Sequence, residues 1–123
     1  MNGYISITLG TGDVIGLKFA YPAIRMFGEA MADKGEFYYT GTEGDSQMTV
    51  EGIAKFIECG YKNNCLIKEV QPVFKYEHFY EWAEKAITDE DVAKQIAAVL
   101  ECYAQTEYAK KLQELTSTDE KKN

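Results

Sequence analysis

The fold of this chain depends on a stretch that reads KYEHFYEWAEKAI, residues 75–87. It contains the only tryptophan and the only histidine of the chain. Its apolar residues recur at i, i+3, i+4, i+7 and i+8, which places them on one side of an α-helix. These residues are Phe79, Trp82, Ala83, Ala86 and Ile87, and the opposite side carries Glu77, Glu81, Glu84 and Lys85. Because an aromatic face of this size must be buried, we expect the other helices to pack on this one.

Length and composition are those of one globular domain that folds without disulfides or metals. The chain has 123 residues and a formal net charge of −7. A negative surface disfavours nucleic acids and anionic membranes, both of which attract lysine and arginine. The apolar runs fall far short of the ~20 residues of a spanning helix, and we recognise no signal peptide. Three cysteines without a paired motif are typical of free, mostly buried thiols in a reducing cytoplasm.

Two segments with alternating apolar residues predict an N-terminal β-hairpin. The alternating positions are Ile5, Ile7 and Leu9 in the first segment and Ile15, Leu17 and Phe19 in the second. Residues 10–13, which read GTGD, have the composition of a turn. An isolated hairpin is marginal in water, so its apolar side should lie on helices. The sequence therefore predicts an α+β fold, mainly α, with the hairpin packed on a bundle of about four helices.

Capping and turn residues predict where the first helix lies. Pro22 suits a first helical turn, and Gly35 is a natural stop. Residues 37–40, which read FYYT, are β-prone and predict a short third strand. Residues 41–47 are rich in glycine and acids and predict an exposed loop.

A second helix is predicted from Met48 to Lys62, ended by Asn63 and Asn64. Its inner face consists of Val50, Ile53, Ala54, Ile57 and Tyr61, and its outer face of Glu51, Lys55, Glu58 and Lys62. Thr88 is the expected N-cap of the last helix, which extends to about Leu115 or breaks near Thr106. We therefore predict one domain over residues 1–115 and a disordered tail over 116–123.

Motifs with possible chemistry are weak here. Gly10-x-Gly12-x-x-x-Gly16 does not open a helix, so it favours a plain turn over a phosphate loop. The spacing of Cys59, Cys65, Cys102 and His78 fits no zinc pattern. Two loop acids, Glu43 and Asp45, lack the spacing of a calcium site and favour a solvated role. We therefore expect no catalytic residue, no metal ligand and no cofactor.

The aromatic residues of the 75–87 helix extend too far around it for a single core face. Tyr76 and Tyr80 have two open interpretations: tyrosines half-buried in the core, or an exposed pair that binds a partner. We take Tyr76, Tyr80 and Trp82 as the expected partner-binding region.

Three segments carry a family resemblance. They read GLKFAYPAIRMF (16–27), IAKFIECGYKNNC (53–65) and YEHFYEW (76–82). Over residues 4–108 the chain resembles the tail assembly chaperones of long-tailed bacteriophages and prophages. Members of that family are small, acidic, helix-rich proteins without enzymatic activity. The aromatic helix of the family often opens with a Thr or Pro cap, whereas Phe74 and Lys75 precede it here.

The resemblance implies a role and its partners. Family members coat the long, hydrophobic tape measure protein until the tail tube polymerises around it, and they are absent from the finished particle. The implied partners are therefore the tape measure protein and further copies of this chain, with the tail tube protein as an additional candidate. The implied location is the cytoplasm of the bacterial host.

Two alternatives stay open at the level of sequence. One is a generic acidic interaction module, such as a bacterial adaptor or a phage-encoded inhibitor of a host protein. The other is a small enzyme, which needs a pocket with convergent polar groups. We assemble no such pocket from the sequence.

Overall fold

A computed structural model describes residues 3–41, 47–112 and 114, and it is an α+β fold, mainly α. The predicted fold class is confirmed: an N-terminal antiparallel hairpin is followed by a set of helices. The elements are β1 (Tyr4–Thr8), β2 (Val14–Lys18), α1 (Tyr21–Tyr38), β3 (Tyr39–Thr40), β4 (Gln47–Met48), α2 (Val50–Lys68), α3 (Tyr76–Glu84), a 3-10 turn (Lys85–Ile87) and α4 (Glu90–Ala104). Residues 107–112 are again helical.

The predicted hairpin is present, and its apolar side is buried as expected. Tyr4 pairs with Lys18 and Thr8 with Val14. In the turn, the Gly12 N–H donates to the carbonyl of Leu9 at 2.9 Å, and Gly12 has a φ of +93°, which glycine adopts without strain. The alternating apolar residues of both strands face the helices, as the spacing predicts.

The first helix begins near Pro22 as predicted, but Gly35 does not end it. The backbone kinks at Lys34 (φ −139°, ψ 45°) and then makes one more turn to Tyr38. The strand predicted over residues 37–40 is therefore limited to Tyr39–Thr40, which pairs with Gln47–Met48. The loop predicted between these strands has residues 42–46 outside the described part of the chain.

The second helix is longer than predicted, because Asn63 and Asn64 lie inside it and do not end it. Asn63 is 1% exposed, and its side-chain oxygen accepts hydrogen bonds from the backbone N–H groups of Ala20 (3.3 Å) and Ala23 (3.0 Å). It thus supplies from another helix the N-cap that the alanine at position 20 lacks. The helix ends at Glu69, which has the left-handed conformation of a C-cap.

The element on which the others pack is α2, and the prediction that the 75–87 helix has this role is wrong. The middle of α2 is buried almost continuously, and it contacts α1, α3, β2 and β4. Glu58, expected on an outer face, is only 6% exposed and pairs with Lys55 (2.9 Å) and Lys62 (3.4 Å). A helix covered by neighbours on several sides carries no simple polar stripe.

Four aromatic rings connect the hairpin to the helices. Phe19, which follows β2, stacks on Phe56 with ring centroids 4.6 Å apart. Phe27 of α1 and Tyr103 of α4 meet the same Phe56 ring edge-on, at 5.2 and 5.4 Å. Phe19 also lies directly against Gly60, where an added Cβ would come within 2.7 Å of its ring.

The end of the chain shows two differences from expectation. The N-cap of α4 is Asp89, whose carboxylate accepts from the N–H of Asp91 (2.9 Å), and not Thr88. Ile87, expected on the inner face, is 79% exposed because the 3-10 turn changes the helical phase. The helix does break near Thr106, one of the two predicted outcomes. Residues 116–123 lie outside the described part of the chain.

Replacing Gly60 with alanine should destabilise the fold. Overpacking against Phe19 is expected to lower the free energy of unfolding by about 1–3 kcal/mol, despite the better helix propensity of alanine. The matched control is Gly28→Ala in α1, where a Cβ meets nothing within 4 Å and where we expect about 0.5–1 kcal/mol of added stability. Urea unfolding of both variants measures the difference, and equal stability would contradict the packing described above.

Replacing Asn63 with alanine should cost about 1–3 kcal/mol, because it removes the buried oxygen that accepts from the N–H groups of Ala20 and Ala23 at the start of α1. The control is Gln71→Ala, an exposed amide, for which the free energy of unfolding should stay within about 0.5 kcal/mol. Amide hydrogen exchange should localise the loss to the first turn of α1. A variant as stable as the wild type would show that the Asn63 side chain is not a cap.

Candidate functional site

A groove lies between α3 and the junction of α1 with α2. It has a volume of about 520 Å³, and both aromatic and acidic side chains line it. We call it the acidic–aromatic groove, and its residues are Phe37, Glu51, Tyr76, Glu77, Tyr80, Glu81 and Glu84. It contains two of the three residues that the sequence predicts as partner-binding.

Tyr76 and Tyr80 stand one helical turn apart on α3, and their ring centroids are 6.2 Å apart. Both are partly exposed. Tyr76 is held on α2 by two contacts: its hydroxyl donates to the carbonyl of Glu51 at 3.4 Å, and the Lys55 ammonium lies 5.7 Å from its ring centroid. The pair thus forms a partly exposed aromatic surface whose position is fixed by the contacts of Tyr76 with α2.

Phe37 completes the aromatic part of the groove from the end of α1. The kink at Lys34 places Tyr38 in the core and leaves the Phe37 ring 50% exposed. Thr49 holds this turn in place, since its hydroxyl donates to the Phe37 carbonyl at 2.9 Å. The sequence did not predict Phe37 as a surface residue, because Gly35 indicates the end of the helix and residues 37–40 indicate a strand, whereas α1 continues to Tyr38.

The glutamates give the groove a negative field that acts on the tyrosines. The pKa of Tyr80 is raised, first by the charge of Glu51. Burial, followed by the neighbouring Tyr38 and Glu51, raises the pKa of Tyr76 to about 12. Both phenols therefore stay protonated at neutral pH and act as neutral aromatic surfaces with hydroxyl groups.

Trp82, the third predicted contact residue, lies on the opposite side of α3 from the groove. It is 3% exposed, and its indole N–H donates to the carbonyl of Thr8 at 3.0 Å. Its role in this structure is to fasten α3 to the end of β1. The structure thus brings Tyr76 and Tyr80 together and separates Trp82 from them.

A second apolar surface lies at the other end of α2. Two residues of its last turn, Leu66 and Ile67, and two of the following segment, Val70 and Val73, are each more than half exposed. We call this the aliphatic surface. The segment is held by Tyr61, whose hydroxyl accepts from the N–H of Val73 at 2.8 Å. Because its backbone is fixed, the exposure of these side chains is a property of the folded state.

His78 has a structural role at the start of α3. Its Nδ1 accepts a hydrogen bond from the N–H of Lys75 at 2.9 Å, so a side chain of the first turn satisfies the backbone at the start of α3. The cysteines are free: Cys59 and Cys65 are buried, and Cys102 is partly exposed. Within residues 3–41, 47–112 and 114, no three His, Cys, Asp or Glu side chains are arranged to hold a metal ion.

Another groove, of about 570 Å³, lies between the hairpin turn and the start of α4. Its lining has mixed charge and includes Lys85, Lys94, Asp89 and Asp91. Part of its polar lining already has a structural partner, because Asp89 caps α4 and Gln95 accepts from the Thr8 N–H at 2.7 Å. We assign it no ligand. Glu43 and Asp45, considered above for cations, lie outside the described residues.

No protein-family model, curated protein or solved structure matches this chain. Among the described residues, no helix is both long enough and apolar enough to cross a lipid bilayer. The function therefore has to be inferred from the two surfaces above.

The three thiols should differ in reactivity. Desolvation in the core raises the pKa of Cys59 from 9.0 to about 12, so at pH 9 only about one molecule in a thousand carries the reactive thiolate. Alkylation followed by mass spectrometry should modify Cys102 first, and Cys59 and Cys65 only after unfolding in guanidinium. Equal rates at Cys59 and Cys102 in the folded protein would contradict this burial.

Proposed function

We propose that this chain is a non-enzymatic tail assembly chaperone of a phage or prophage, which binds the tape measure protein and keeps it soluble while the tail tube forms. The observation that carries the proposal is the apolar surface left exposed on the folded domain. Twelve large hydrophobic residues among those described are exposed, and five of them belong to the two surfaces: Phe37 of the groove, and Leu66, Ile67, Val70 and Val73 of the aliphatic surface.

The two surfaces suit a long helical client. Glu51 and Leu66 lie 15 positions apart in α2, which corresponds to about 22 Å along the helix axis. The acidic–aromatic groove and the aliphatic surface thus lie near opposite ends of one rigid element. An extended amphipathic client is bound more securely by two such separated contacts than by one.

The charge of the chain suits a solubilising role. A formal net charge of −7 on 123 residues gives each bound copy a repulsive surface. A client covered by such copies has its apolar residues shielded and its complexes kept apart. The same features serve an adaptor or an inhibitor of a host protein, so the identity of the client decides between these functions.

The proposal predicts that a long helical protein is encoded beside this gene, and co-expression with that protein tests it. Wild-type chain should co-purify with that protein and raise its soluble fraction. The double variant Ile67→Asp/Val73→Asp should lose most of this effect, because it places charges on the aliphatic surface. The control is Ile87→Asp, which places a charge on an exposed aliphatic residue of the 3-10 turn, outside both surfaces.

Two results would contradict the proposal. One is a wild-type chain that neither co-purifies with the long helical protein nor raises its solubility. The other is a gene that does not lie between a tail tube gene and a very long helical reading frame. Circular dichroism of each variant separates loss of binding from loss of folding.

A further inference from the structure

We infer that the acidic–aromatic groove binds an amphipathic helix of the partner that carries lysine or arginine beside its apolar stripe. This inference rests on the proposed function, since it names the chemistry of the client segment that the groove accepts. A basic helix is the expected occupant, because glutamates surround the exposed aromatic residues of the groove.

The groove is acidic without compensation from its own lining. Of the seven described residues that line it, four are glutamates and none is a lysine or an arginine. The ion pairs found among described residues use Glu29 and Glu58, and none uses a glutamate of the groove. A helix with acidic residues next to its apolar stripe would meet like charges here, whereas a basic helix would meet opposite ones.

The spacing along α3 matches the surface of another helix. Tyr76 and Tyr80 are related by i, i+4, and beside them Glu77, Glu81 and Glu84 are related by i, i+4, i+7. The acidic column is therefore about 10 Å long, or two helical turns. A partner helix that lies along α3 presents complementary groups when its basic residues recur at i, i+3 or i+4, and i+7.

The wall opposite α3 gives the partner an apolar contact. Phe37 comes from the last turn of α1 and Glu51 from the first turn of α2, so the groove has walls on two sides. An aliphatic residue of the partner can lie between Phe37 and the two tyrosines. The flanking basic residues then cover the tyrosine rings with their apolar stems and reach the carboxylates with their charged ends.

The chain already shows the contact that we assign to the partner. Lys55 lies over the Tyr76 ring at 5.7 Å, within the range of a cation–π interaction. Tyr80 has no such lysine or arginine among the described residues, although the charges of Glu51 and Glu84 act on it. A basic residue of the partner would occupy the corresponding position at Tyr80.

Two synthetic helical peptides test this inference. Both carry the same leucine and phenylalanine stripe; one has lysines at i, i+4 and i+7 beside it, and the other has glutamates there. Fluorescence anisotropy should show the lysine peptide binding about tenfold more tightly or better at low salt, with the difference shrinking as salt rises. Tyr80→Ala should weaken the lysine peptide several-fold.

A matched pair of charge variants locates the effect. Glu77→Gln/Glu81→Gln/Glu84→Gln should abolish the preference for the lysine peptide. Glu29→Gln/Glu101→Gln/Glu107→Gln removes the same number of exposed carboxylates outside the groove and should keep the preference. If the two peptides bind the wild type equally, or if both triple variants lose the preference equally, the inference is wrong.

The client co-purification separates this inference from the proposed function. A client that binds the wild type and the groove triple variant equally well overturns the inference but leaves the chaperone function intact. A client that binds neither overturns the chaperone function, and the peptide preference then still decides whether the groove takes a basic helix.

Discussion

The fold depends on the contact of one face of α2 with the junction between β2 and α1. Phe56, Gly60 and Asn63 recur at i, i+4 and i+7, so they line a single stripe of the helix. Phe56 stacks on Phe19, Gly60 leaves the space that the Phe19 ring needs, and Asn63 caps the helix that starts directly afterwards. This stripe positions the hairpin and α1 together, because only two residues, Phe19 and Ala20, connect β2 to α1.

The exposed surfaces follow from this arrangement. Since α2 is the central element, α3 packs on it through only one side, where Phe79, Trp82 and Ala83 are buried. Tyr76 and Tyr80 lie at the edge of that contact and meet Phe37, which the kink in α1 brings to the same place. The C-terminal turn of α2 is less covered than its middle, so Leu66 and Ile67 are each more than half exposed. Both surfaces therefore arise from the lengths and ends of helices, while the core itself is closely packed.

Part of the candidate site was predictable from sequence. The period of the 75–87 segment separates its buried residues from its acidic ones, and an aromatic set wider than one face indicates that some aromatic residues remain outside the core. That reasoning selects Tyr76 and Tyr80, both of which line the groove. It does not exclude Trp82, because the hydrogen bond from its indole to Thr8 joins residues 74 positions apart. Phe37 and Glu51 belong to the groove through contacts between elements, which periodicity does not record.

The sequence by itself determined the hairpin, the buried side of α3 and the acidic character of the chain. These are local properties, set by alternation, by helical period and by composition. Only the tertiary structure decided that α2 continues through Asn63 and Asn64. Asparagine often ends a helix, but Asn63 lies inside α2 because its side chain caps the start of α1. It also decided which helix is central and which aromatic residues stay exposed. Both depend on contacts between residues that are far apart in the sequence, which local patterns do not record.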